Sequence, residues 1–326
     1  MRTPLCELLG IDVPVISAPF GPWDSVDLAA AVCEAGGLGS LGTAVRSVDE
    51  LRDQWRRMRR RTDRPFAINH TPRPFNEAVF QATLEERPAV ISYHLGDPGE
   101  LVQRAHDAGC LWMQQVTDVD QAQEAVARGS DILIAQGGEA GGHSGFISTM
   151  VLVPQVVEVA DGRPVVAAGG ITDGRGLAAA LALGASGVAM GTRFLASTEM
   201  AISRQWKQML IDARASDAHH SAVLDAVLPP YNRPHSPAAP RTLPTEFERQ
   251  WTGRTAELAE QAAELGPQIV KAVLGGREYS YVAFAGQSVG LIHDIRPAAD
   301  IVADTVAEAE QIIERLARRT VGVSLT

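Results

Sequence analysis

The stretch PVVAAGGITDGRGLAAALALGASGVAMGTRF, from Pro164 to Phe194, decides the fold. Its two apolar runs, PVVAAGG and GVAMG, do not alternate with polar residues, which is the pattern of parallel strands covered on both faces. The alanine-rich segment between them has helical spacing and closes on a glycine. Six more runs of the same kind precede it: VPVISA from Val13, LGSLG from Leu38, FAIN from Phe66, AVISY from Ala89, LWMQQ from Leu111 and ILIA from Ile132. Helix-like segments such as DLAAAVCEAGG and PGELVQRAHDAGC separate them. Eight strand and helix alternations before Glu199 predict a (β/α)8 TIM barrel of the α/β class.

Beyond Glu199 helical patterning takes over, interrupted by LPPYNRPHSPAAPRTLP from Leu228 to Pro244, whose prolines rule out a regular helix. The last part, PAADIVADTVAEAEQIIERLARR, is again periodic. The expected organisation is a barrel over 1–199, a helical substrate or lid region over 200–286 with its proline-rich connector at 228–244, and a final segment, 287–326, whose helix packs back on the barrel.

With 326 residues, 45% of them hydrophobic and 21% charged, the chain falls in the ordinary globular class. A net charge of -10 and a pI near 5.3 argue against nucleic acid or anionic lipid as partner and favour a small molecule. Met1 to Gly10 lacks a secretory signal pattern, and no apolar run approaches the roughly 20 residues that span a bilayer. A cytoplasmic protein with no membrane partner is expected, and homo-oligomerisation is left open. Cys6, Cys33 and Cys110 lack metal-ligand spacing and read as reduced, packed thiols.

In such a barrel the residues directly after each strand carry the chemistry. Here they are Ala18, Pro19 and Phe20 after the first; Asn69, His70 and Thr71 after the third; Gln114 and Gln115 at the fifth; Gln136 and the glycine loop AQGGEAGGHSG (Ala135 to Gly145) after the sixth. Gly169 and Gly170 follow the seventh strand, Gly191 and Thr192 the eighth. Glycines at those last two strands allow a phosphate to approach backbone N–H groups, and the Thr192 hydroxyl can donate as well. The amides of Asn69, Gln115 and Gln136 suit the carbonyls and ring nitrogens of a flavin, since an amide both donates and accepts. Among eight histidines, His143 is the candidate base, because its loop leaves a strand end and an imidazole titrates near neutrality. His70 and His94 follow strands three and four and are its alternatives; His106, His219, His220, His235 and His293 read as surface or packing residues. The basic run RRMRRRTDR from Arg56 ends a helix on the face away from the site, and cations near the mouth are few, chiefly Arg73, Arg175 and Arg193.

AQGGEAGGHSG, VVAAGGITDGRGLAAALALGASGVAMGTRFLAS and AGQSVGLI, with the opening LLGIDVPVISAPFG and RPFAINHTPRPF, resemble the nitronate monooxygenase family, formerly 2-nitropropane dioxygenases. The resemblance implies an FMN-dependent TIM-barrel flavoenzyme that oxidises alkyl nitronates with O2. It places Ala18, Pro19 and Phe20 beside the isoalloxazine, Asn69, Thr71, Gln115 and Gln136 on the ring or ribityl chain, and Gly141 and Gly142 in the glycine loop. Gly169, Gly170, Gly191 and Thr192 would hold the phosphate, and His143 would be the catalytic base. The same scaffold resembles NAD(P)H-dependent FMN reductases of quinones or enoyl thioesters. A flavin-free barrel binding a phosphorylated metabolite is the third reading.

Overall fold

A computed structural model describes residues 1–72, 75–227 and 238–321. All eight runs form strands: β1 (Val15–Ser17), β2 (Gly39–Gly42), β3 (Phe66–His70), β4 (Val90–His94), β5 (Leu111–Val116), β6 (Ile132–Gln136), β8 (Val165–Ala168) and β9 (Gly187–Met190). Every neighbouring pair is parallel, from β2 through β6 and on through β8 and β9 to β1. An Ile16–Leu38 bridge closes the ring, with Ser17 N–H donating to Leu38 O and Leu38 N–H to Val15 O, both at 3.0 Å. The strands are buried almost throughout, as covering on both faces requires. Gly109 and Gly129, which close two of the helices, lie at φ 78° and 91°, where a side chain would be strained.

Inside the ring Ile16, Leu38, Ala67, Val90, Met113, Ile132 and Val166 fill the barrel. Its N-terminal end is plugged by the first helix, α1 (Pro4–Leu9), whose Leu5, Cys6 and Leu9 join that cluster. Gly187 admits the plug, because a Cβ there would meet Leu5 Cδ2 at 2.6 Å. Only the C-terminal end is therefore left for chemistry, as the fold requires.

The final helix, Ala298–Val321, packs across Gly174–Ala182, the helix after β8. A Cβ on Gly174 would meet Ala309 N at 2.5 Å, and Gly174 N–H donates to Glu308 Oε2 at 2.8 Å.

The region after Glu199 is not simply helical. A small antiparallel sheet, absent from the sequence reading, joins β7 (Gly142–Ser144), β10 (His219–His220) and β11 (Ala239–Thr242) in the order β10-β11-β7. Much of the proline-rich connector, 228–237, lies outside the described residues, as do Arg73 and His235; the connector's end is β11. A separate apolar cluster of Leu224, Phe247, Trp251, Leu258, Ile269 and Val282 sits beside this sheet. Trp23 links it to the barrel, meeting Trp206 edge-on at 4.9 Å and Phe284 at 6.1 Å.

Candidate active site

At the C-terminal end of the barrel lies a cavity of about 540 Å³, within the usual range for a cofactor or ligand site. All fourteen candidate residues line it: Ala18, Pro19, Phe20, Asn69, Thr71, Gln115, Gln136, Gly141, Gly142, His143, Gly169, Gly170, Gly191 and Thr192. They come from six strand ends and the loop after β6, so closure of the barrel itself assembles them.

One wall is the segment after β1. Asp24 fixes it by accepting from Phe20 N–H at 2.7 Å and from Arg46 Nη1 at 3.4 Å, while Arg46 Nη2 donates to Pro22 O at 2.7 Å. Burial pushes the Asp24 carboxyl up, and these donors and the Arg46 charge oppose the shift. Arg46 is the sole Lys or Arg among the described residues lining the cavity.

The glycine loop is built differently from expectation. Its glycines let it press against protein: a Cβ on Gly137 would meet Thr149 Oγ1 at 2.0 Å, one on Gly141 would meet Ala285 C at 2.6 Å, and one on Gly145 would meet Thr117 Cβ at 2.6 Å. Glu139 ties the loop to the next helix by accepting from Thr149 N–H at 2.9 Å and Thr149 Oγ1 at 2.8 Å. His143 thus sits on strand β7, opposite Pro240, rather than on a free loop.

The histidines separate sharply. His143 faces Phe284 edge-on at 6.0 Å, and burial, reinforced by His94, pushes its imidazole down to about 3. The expectation of titration near neutrality is corrected: in this apolar surrounding the ring is neutral through the physiological range. His94 also lines the cavity and is pushed down by burial, with a hydrogen bond to Gln115 opposing the shift. His70 lines the cavity too, but its Nε2 reaches the helix after β3. Its Nε2 lies 3.0 Å from Thr83 Oγ1, and because Thr83 donates its own proton to Val79 O, Nε2–H must be the donor. His219 pairs with buried Glu248 and His106 with Asp131, as packing residues do.

At the far end Gly191 precedes a short helical turn, Thr192–Leu195. A Cβ on Gly191 would meet only Ala18 Cβ, at 3.6 Å, so its open side faces the cavity. Thr192 Oγ1 accepts from Gly286 N–H at 3.0 Å, leaving its proton to donate. Gln136 Oε1 is buried with no hydrogen-bond partner among the described residues, and the Asn69 amide donates to Ser92 Oγ at 3.0 Å. A neutral polyfunctional ring with a phosphate tail would satisfy this donor set. Arg175 and Arg193 do not serve the mouth: the first pairs with Asp173, and the second is buried against Asp294.

Sequence reasoning missed the apolar wall opposite the strand ends, made by Trp23, Ile269, Val273, Val282 and Phe284. Helical spacing within Thr255–Ala272 was the available signal, but it marks any buried helix face equally well.

A closed (β/α)8 barrel with glycine turns, buried amides and an imidazole at one mouth is the setting of a TIM-barrel enzyme, and the family match makes it an oxidoreductase of the flavin-dependent type. The family model for nitronate monooxygenase matches residues 2–78 and 70–308, and the chain belongs to that family. It is similar to a nitronate monooxygenase of Paraburkholderia phytofirmans, 34% identical with 96% of each chain covered. It is also similar to the (3aS,4S,5R,7aS)-5-hydroxy-7a-methyl-1-oxo-octahydro-1H-indene-4-carboxyl-CoA dehydrogenase of Rhodococcus jostii, 32% identical over 97% of this chain and 98% of the other. Among solved structures, FabK from Thermotoga maritima superposes with a TM-score of 0.89 at 34% identity, covering 98% and 99% of the two chains. Family membership sets aside the flavin-free barrel. Among the described residues no helix is long and apolar enough to cross a membrane, and no group of His, Cys, Asp and Glu could hold a metal ion.

Proposed function

We propose that the chain is an FMN-dependent enzyme that oxidises alkyl nitronates, and the parent nitroalkanes, with O2 to a carbonyl compound and nitrite. The observation that carries this reading is the placement of His143 in one largely apolar chamber with the amides of Asn69, Gln115 and Gln136 and the glycine turns at Gly169, Gly170 and Gly191. Bound FMN would supply the redox chemistry, accepting electrons from the substrate and passing them to O2. Asn69, Thr71, Gln115 and Gln136 would hold its ring and ribityl chain beside Ala18, Pro19 and Phe20, and Gly169, Gly170, Gly191 and Thr192 would hold its phosphate. Gly141 and Gly142 would carry His143 over the ring, where the imidazole takes the α-proton of a neutral nitroalkane. For a preformed nitronate the same ring donates no proton and only positions the anion. In this reading 1–199 holds the cofactor, 200–286 covers the substrate, and 287–326 braces the barrel.

The lining argues against a dinucleotide or an acyl carrier as the reductant's or substrate's handle. Either brings phosphates, and the cavity's sole Lys or Arg among the described residues, Arg46, is already engaged by Asp24 and Pro22. Anaerobic mixing decides between the readings. A small alkyl nitronate should bleach the yellow protein while NADH and NADPH bleach it slowly or not at all; fast, saturable bleaching by NAD(P)H with no response to nitronate would install the reductase reading instead.

A further inference from the structure

The mouth of the cavity is rimmed by large apolar side chains that face water. Val45 is 65% exposed, Leu274 61% and Val270 42%, and all three also line the cavity. Such residues clustered at the edge of a pocket mark a surface that a ligand covers.

Two backbone features make the rim harder to dismiss as scattered surface. Val45 adopts φ 55°, in the left-handed region that a β-branched residue enters only against a steric cost. Exposure means that core packing does not offset this cost, so the conformation holds an apolar side chain at the mouth. Leu274 lies at a kink between two helical segments, Val273–Arg277, where Gly276 takes φ 77° and turns the chain at the mouth. Behind the rim the wall continues inward through Val273, Ile269 and Phe284 without a charged group.

Building on the proposed function, we infer that the natural substrate is a nitronate with an extended alkyl chain, which leaves the barrel mouth along Val45, Val270 and Leu274. A small nitronate would sit wholly within the inner chamber and leave this surface wet. The three rim side chains are uncharged, so the part of the tail that they cover is a plain hydrocarbon.

The test uses straight-chain carboxylates from acetate to decanoate, planar two-oxygen anions like nitronates that this site has no means to oxidise. Calorimetric titration of the FMN-loaded protein should show affinity rising up to about fourfold per methylene, the value of a fully buried CH2. Val45→Asn suits the left-handed backbone better than valine, and Leu274→Asp lies on the surface, so both variants should fold. Each should flatten the dependence on chain length while leaving acetate unchanged. Equal affinity for acetate and decanoate, absence of binding at every length, or the same chain-length slope in both variants would overturn the inference. Binding is read without turnover, so a protein that shows the length dependence yet oxidises no nitronate would sink the proposed function and leave the apolar tail site standing.

Discussion

Arg241 donates from Nε to the carbonyl oxygen of Gly138 at 2.9 Å, joining the central strand of the small sheet to the glycine loop that carries His143. The same guanidinium donates to Ala218 O at 2.7 Å. Burial pushes its pKa down, with Glu139 opposing, so the group is held mainly by neutral carbonyls in place of a close carboxylate. Arg241→Met would leave two carbonyls without their donor and should cost about 2 to 4 kcal/mol of stability. Arg241→Lys, able to reach one of them, should fall between. A thermal melt checks the order, and loss of turnover in excess of loss of folded protein would show that the loop has lost its register; an unchanged melting temperature would mean that the pair is dispensable.

A second consequence concerns acid. The His70 imidazole is pushed down to about 3 by burial, against 6.5 when free. Between those values the unfolded chain binds a proton that the native chain does not, so stability rises with pH across this window and is lost as pH falls from 6.5 toward 3. The slope from one such group is at most about 1.4 kcal/mol per pH unit. His70→Gln can keep the bond to Thr83 without titrating, and should flatten the dependence measured by denaturant unfolding between pH 4 and about 6.5. An equally steep slope in the variant would assign the acid lability elsewhere.

Most of the barrel was legible because a parallel strand covered on both faces must be apolar throughout, as in ILIA from Ile132, and because several of the helices between strands close on a glycine such as Gly129. Its strand ends then pointed to one mouth, and the structure brings all fourteen residues there. The small sheet was not legible. Gly142–Ser144 and His219–His220 are too short to show a period of two, and Pro240 lies within the partner strand, where proline normally argues against a strand. Nor was the chemistry of His143 readable from its loop: its pKa is lowered first by burial and then by His94, and its ring meets Phe284, residues far away along the chain.

Gly191 offers a clean probe of the phosphate end. The space beside it admits a Cβ, its nearest neighbour there being Ala18 Cβ at 3.6 Å, and its φ of -104° is open to any residue. Gly191→Asp should therefore fold while setting a carboxylate against the phosphate, and FMN affinity should drop by more than about tenfold through like-charge repulsion. Gly191→Asn supplies nearly the same volume without charge and should lose much less. FMN fluorescence titration separates them; equal retention by Asp and wild type would move the phosphate away from β9.

The last expectation turns on the neutral state of His143. A ring whose pKa is near 3 is unprotonated at pH 7 and can accept a proton, but the burial that keeps it neutral also makes it a weak base and a poor resident cation. Removing it should therefore matter most where a proton must leave carbon. His143→Ala should keep the fold and the bound FMN, since the strand contacts of β7 are made by backbone. Turnover of neutral nitroalkanes should fall by about 10², the low end of a general base's usual contribution because so weak a base lies far from the optimum, whereas preformed nitronates have already lost the α-proton and should be affected much less. The wild-type rate on nitroalkanes should also show no His143 limb between pH 5 and about 8, because its titration lies well below that window. Equal losses on both substrates would reassign His143 to binding the anion, and no loss on either would pass the role of base to His94, which also lines the cavity.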